Sequence, residues 1–193
     1  MDMTGEYRIP ASRETVWKAL NDPVVLKQCI PGCEELEKKS DTEFAAKVTA
    51  KVGPVKAKFG GAVKMSDLDP PNGYTISGEG TGGAAGFAKG GAKVTLKQDG
   101  ADTVLSYTVN ATVGGKLAQI GSRLIDSTAK KMANDFFAKF AEIVGAAAAA
   151  EAAPAPAAPA AAPAAGEPKG LPIAVWVIGV IVILALLMWL FQR

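Results

Sequence analysis

Between Glu34 and Gly115 apolar residues recur at every second position, which restricts this stretch to antiparallel strands with one buried face. Phe44, Ala46, Val48, Ala50 and Val52 alternate with Lys47, Thr49 and Lys51. Gly53 and Pro54 turn the chain, and Val55, Ala57 and Phe59 then alternate with Lys56 and Lys58. Val63 and Met65 resume the pattern after Gly60 and Gly61, and the segment DPPNG at Asp69–Gly73 is a strong turn. Further strands are predicted over Tyr74–Thr81, Ala92–Gln98 and Thr103–Val113, with a hairpin turn at Gln98–Gly100.

Helical signals flank this run on both sides. Residues 3–9 read as a first strand. Ser12 is a suitable N-cap for a helix whose stripe is Val16, Trp17 and Leu20. Pro23 starts a second short helix through Gln28, and Pro31 and Gly32 form a turn. After Gly114 and Gly115 a long helix is predicted from about Lys116 to Val144. Leu117, Ile120, Leu124, Ile125, Thr128, Met132, Phe136, Phe140 and Ile143 step along it by threes and fours. A curved antiparallel sheet of about six or seven strands must cover one face, and only this helix is long enough to do so. The expected class is therefore α+β with the helix-grip architecture, a sheet wrapped on a C-terminal helix with space for a cavity between them.

Charge excludes one class of partner. The chain carries 21 Lys and Arg against 19 Asp and Glu, a net +2, and the signs alternate without a basic block. Nucleic-acid binding has no electrostatic support. The chain has no histidine, and its two cysteines, Cys29 and Cys33, sit beside a Pro-Gly turn with no second pair. A zinc site would lack ligands, so the expectation is two reduced thiols and no metal.

Residues 171–191 read LPIAVWVIGVIVILALLMWLF and carry no charge. Twenty-one residues at about 1.5 Å each span roughly 31 Å, near the thickness of a bilayer's hydrocarbon core. Lys169 and Arg193 bracket the segment, and Trp176 and Trp189 lie towards its ends. A transmembrane helix is predicted there. The first residues lack the basic and apolar parts of a signal peptide. The expectation is a C-terminal tail anchor in the cytoplasmic membrane, with the domain in the cytoplasm. The expected organisation is a domain over 1–145, an Ala/Pro-rich linker over 146–170 and the span over 171–191. The alanine run 146–153 could continue the preceding helix.

The residues expected to face the cavity are Phe44, Val55, Phe59, Tyr107, Val109, Leu117, Ile120, Leu124, Thr128 and Phe136. Singly, each is explained as core; as a set in this fold they suit a lipophilic ligand. Tyr107 is either core with a satisfied hydroxyl or a donor to a quinone carbonyl. Arg123 is either an ion-pair partner of Asp126 or Asp22, or a contact for a ligand's polar head. The glycines within 81–86 and at 90–91 read as loops or bulges of a bent sheet, or as a mobile lip at a cavity mouth. No residue set suggests catalysis, since no histidine is present and the carboxylates fall mainly at turns and polar faces.

Three segments carry a resemblance. DPVVLKQCIPGCE at Asp22–Glu34 resembles the hallmark of the carbon monoxide dehydrogenase CoxG family. GGKLAQIGSR at Gly114–Arg123 is similar to its second hallmark, and DFFAKF at Asp135–Phe140 fits its helix end. The resemblance covers residues 2–145 and implies the START-like helix-grip superfamily, whose members commonly bind lipophilic molecules. It further implies an accessory protein, not an enzyme, that recruits a molybdenum-containing carbon monoxide dehydrogenase, or a related molybdenum hydroxylase, to the membrane. With the anchor and the apolar interior, the expected ligand is a respiratory quinone, menaquinone or ubiquinone, and no covalent cofactor is expected. The competing readings are a pure anchor with a solid core, a lipid-binding or assembly factor, and a helix-grip enzyme.

Overall fold

The structure, a computed structural model, describes residues 1–152. Its elements in order are β1 (Asp2–Ile9), α1 (Arg13–Leu20), α2 (Pro23–Cys29), β2 (Cys33–Lys38), β3 (Glu43–Val52), β4 (Val55–Asp69), β5 (Gly73–Thr81), β6 (Phe87–Asp99), β7 (Asp102–Gly114) and α3 (Ser122–Ala152). The strands form one seven-stranded sheet in the order β1-β7-β6-β5-β4-β3-β2. Neighbours in it are antiparallel throughout. Strands β2 to β7 make a continuous meander, while β1 closes the far edge against β7. The two short helices therefore carry the chain from one edge of the sheet to the other.

Local chemistry explains the helix starts. Ser12 accepts from the Thr15 amide at 3.3 Å, and Asp22 accepts from the Val24 amide at 2.7 Å ahead of Pro23. These bonds satisfy amides that the first turn leaves without partners. The strand and helix bounds differ from the sequence reading at two places. First, β6 begins at Phe87, because Gly90 and Gly91 are not loop residues but pair in the ladder with Ala111 and Asn110. Second, α3 begins at Ser122, since Gly115–Ile120 forms a 3-10 segment and Gly121 takes a φ of +97°. That left-handed conformation interrupts an α-helix and suits glycine. The run 146–152, alanine but for Glu151, does continue α3.

The solid core lies at one end of the sheet. Ile9, Val16, Leu20, Leu96, Leu105, Phe140 and Val144 are buried together there. A Cβ placed on Gly145 would lie 2.7 Å from Pro10 Cγ, so the C-terminal half of α3 is pressed onto the β1–α1 corner. Thr103 is fully buried and donates its hydroxyl to the Ala11 carbonyl at 2.7 Å, tying β7 to the same corner.

Among the described residues no helix is long and apolar enough to cross a membrane. The predicted span at 171–191, and the linker from residue 153 onward, lie outside the described residues.

The corner bond gives a direct test of this packing. Replacing Thr103→Val keeps the shape but strands the buried Ala11 carbonyl, which should cost about 1–3 kcal/mol in urea unfolding.

Candidate ligand cavity

The inner face of the sheet tapers from large to small side chains. Along β6 the inward positions run Leu96, Val94, Ala92, Gly90 and Ala88; along β5 they run Tyr74, Ile76, Gly78 and Gly80. Across the ladders these small residues are direct neighbours, with Ile76 opposite Ala92, Gly78 opposite Gly90 and Gly80 opposite Ala88. Gly61 on β4 faces Gly80, and Ala111 on β7 faces Gly90. Large residues therefore fill the α1–α2 end, whereas in the middle of the sheet the floor is largely bare backbone.

Three hollows adjoin this face of the sheet. A hollow of about 240 Å³ lies between the sheet and α3, lined by Phe44, Met65, Tyr74, Phe136 and Phe137 among others. It shares Ala46, Val63 and Ile76 with a second hollow of about 380 Å³ over the glycine floor. That one shares Phe59, Ala88 and Ala111 with a third of about 250 Å³ beneath the first turns of α3. The third is walled by Leu117, Ile125, Thr128 and Met132. The first and third lie against α3, and the second, walled by strand residues alone, joins them across the glycine floor to make one trough. The outer face of the sheet has a larger groove of about 660 Å³, but Lys39, Glu43 and Lys64 line it, a setting unsuited to a lipophile; Glu79 and Lys89 border both this groove and the second hollow.

Of the positions singled out from the sequence, Phe44 and Phe136 line the first hollow, Val109 the second, Phe59 the second and third, and Leu117 and Thr128 the third. Thr128 donates its hydroxyl to the Leu124 carbonyl at 2.8 Å. Val55, Tyr107, Ile120 and Leu124 line none of the three. Tyr107 instead joins an aromatic stack, with its ring centroid 5.6 Å from Phe137, which in turn lies 4.2 Å from Tyr7. Ile120 and Leu124 stand over the β3–β4 turn, where a Cβ on Gly53 would meet Leu124 Cδ2 at 2.6 Å. Arg123 is exposed and forms no ion pair with Asp126 or Asp22; the Asp22 carboxylate caps α2. The glycines of 81–86 make a tight 3-10 turn, Gly83–Ala85, between β5 and β6.

Sequence reasoning passed over Tyr74, Met65 and Phe137. Tyr74 is the main polar side chain of the first hollow, held edge-on by Trp17 at 5.5 Å. Burial pushes its ionisation well above the ordinary tyrosine range, so it stays a neutral donor. Its inward direction follows from its parity with Ile76. Cys29 is buried and Cys33 half-buried; both are free thiols, and burial raises the pKa of each.

This arrangement is that of the helix-grip class. A conserved protein from Geobacillus kaustophilus shares 32% identity at a TM-score of 0.72, covering 76% of this chain and 97% of its own. A Thermus thermophilus protein matches at 17% identity and a TM-score of 0.59, over 76% of this chain and 99% of its own. An aromatase/cyclase from a Streptomyces species matches at 11% identity and 0.54, over 75% and 93%, a likeness of fold alone. No curated protein matches. Residues 5–145 match the carbon monoxide dehydrogenase CoxG family, and the chain belongs to that family.

Two measurements probe the site. Ala111 borders two hollows, so Ala111→Leu should cost less than about 1 kcal/mol in urea unfolding, where a filled core would lose about 1–3 kcal/mol. Burial, then the neighbouring Tyr107 hydroxyl, pushes Tyr7 up to about 12. The folded state thus holds this proton more tightly than the unfolded chain, where tyrosine ionises near about 10. Its contribution is complete below pH of about 10 and is lost as pH rises towards about 12. Unfolding midpoints across that window should fall more steeply for the native chain than for Tyr7→Phe.

Proposed function

We propose that this chain binds a respiratory quinone, menaquinone or ubiquinone, in the trough between its sheet and α3. It is an accessory protein that recruits a molybdenum-containing carbon monoxide dehydrogenase to a membrane through its apolar C-terminal segment. The observation that carries the ligand half is the tapering inner face, where Ala and Gly across β4, β5, β6 and β7 leave an open volume that joins the two hollows lying against α3. Family membership supports the accessory role and the enzyme partner.

The residues suit a flat, apolar ring with polar oxygens. Gly78 and Gly90 border the second hollow, so the floor there offers peptide backbone to a ring. Tyr74, kept protonated, can donate to a ring carbonyl in the first hollow. Phe59, Leu117 and Met132 provide the apolar wall along which an isoprenoid tail can run. The quinone would accept the electrons that such a dehydrogenase withdraws from its substrate, and the protein's part is to bind, orient and shield it from water.

Trp17 reports on the site because it touches Tyr74. Full-length protein in detergent, with Trp176→Phe and Trp189→Phe, should lose Trp17 fluorescence on titration with menaquinone or ubiquinone. Ala92→Phe should abolish the quenching while leaving the melting transition in place. Tyr74→Phe should weaken affinity by roughly five- to tenfold, the worth of one hydrogen bond. Absence of quenching, together with no quinone in solvent extracts of protein purified from membranes, would leave the pure-anchor reading. The enzyme partner is checked by copurification from membranes, with a 171–191 deletion expected to release the complex to the soluble fraction.

A further inference from the structure

The end of the domain at which the trough terminates has an unusual charge pattern. Three loops meet there: the β3–β4 turn at Gly53, the Gly82–Gly86 turn and the Gly115–Gly121 segment. Their contact is close, for a Cβ on Gly115 would lie 2.6 Å from the Gly86 Cα, and one on Gly53 would strike Leu124. Within residues 49–57, 80–88 and 111–125 there is no Asp or Glu, while Lys51, Lys56, Lys116 and Arg123 are all present. The four cations are exposed.

Two details make this more than a solvated face. Lys51 and Lys56 stand directly opposite one another in the β3–β4 ladder, a like-charge pairing that weakens a hairpin. Nor does either form an ion pair with an Asp or Glu among the described residues, whereas Lys47 and Lys58, farther from the turn, pair with Glu35 and Glu34 at 2.7 and 2.9 Å. At the same end Phe87, the first residue of β6, and Leu124, in the first turn of α3, are large apolar side chains 45% and 40% exposed. The loops at the other end carry Asp41, Asp67, Asp69, Asp99 and Asp102.

We propose that this loop end docks on an anionic phospholipid surface, with Phe87 and Leu124 entering the interface and Lys51, Lys56, Lys116 and Arg123 meeting headgroup phosphates. Exposed apolar side chains and cations at one end, without acids, match the two attractions such a surface offers. The C-terminus of α3 leaves from the opposite end, but the chain has reach enough. Residues 153–170 can span at most about 60 Å, against roughly 46 Å for the length of α3. The docking surface does not depend on the quinone reading.

Amide hydrogen exchange of the full-length chain tests it, in nanodiscs of phosphatidylcholine with or without one-third phosphatidylglycerol and without quinone. Exchange at 52–55, 82–87 and 115–121 should slow by about fivefold or more in the anionic discs. Lys51→Glu with Lys56→Glu should remove that slowing while protection in β6 and β7 shows the fold intact. Equal exchange in both discs, or slowing that survives the charge reversal, would overturn the proposal. A chain that docks yet fails the quinone titration would separate this surface from the ligand.

Discussion

The structure depends on how firmly one half of α3 is held. Phe140 has no exposed surface and Val144 almost none, and both pack among Ile9, Val16, Leu20, Leu96 and Leu105. Fully burying each such side chain stabilises by about 1.5–3 kcal/mol. Thr103 closes the corner with a bond to Ala11, and Gly145 lets the helix approach Pro10. With the helix fixed at this end, its first turns can bridge the sheet without a filled core beneath them.

Hollowness is expensive in a protein interior, where packing normally approaches that of organic crystals. Here it arises from composition: Ala88, Gly90 and Ala92 on one strand lie beside Gly78 and Gly80 on the next. A ligand that fills the trough recovers lost contacts, and it stabilises the folded state by mass action. The polar opportunities within are few. Tyr74 and Thr128 are the principal ones, and the Thr128 hydroxyl is committed to the Leu124 carbonyl.

Much of this is legible in the sequence. Alternation from Phe44 to Val52 and from Thr103 to Val113 places the strands, and the three- and four-step pattern from Ile125 to Ile143 places α3. The start of β6 escapes it because Gly90 and Gly91 carry no side chain to alternate, so pairing with β7 cannot be seen locally. The helix start escapes it because Leu117 and Ile120 keep helical spacing within a 3-10 segment, and only the φ of Gly121 breaks the run. For the site, parity identifies inward positions but not depth: Tyr107 points inward and is consumed by Phe137 and Tyr7. Tyr74 lies hidden behind the turn at Asp69–Gly73.

The taper of the inner face also bears on where the domain opens. Protein regions open locally according to how much apolar contact they must give up. At the α1–α2 end that toll is the whole core. At the loop end it is the smaller buried set of Ala85, Leu117 and Ile125, with half-exposed Leu124 over Gly53 and Phe87 over Gly114. Local opening at the two ends is therefore opposed by different amounts of apolar contact, and the loop end is the one with less to give up.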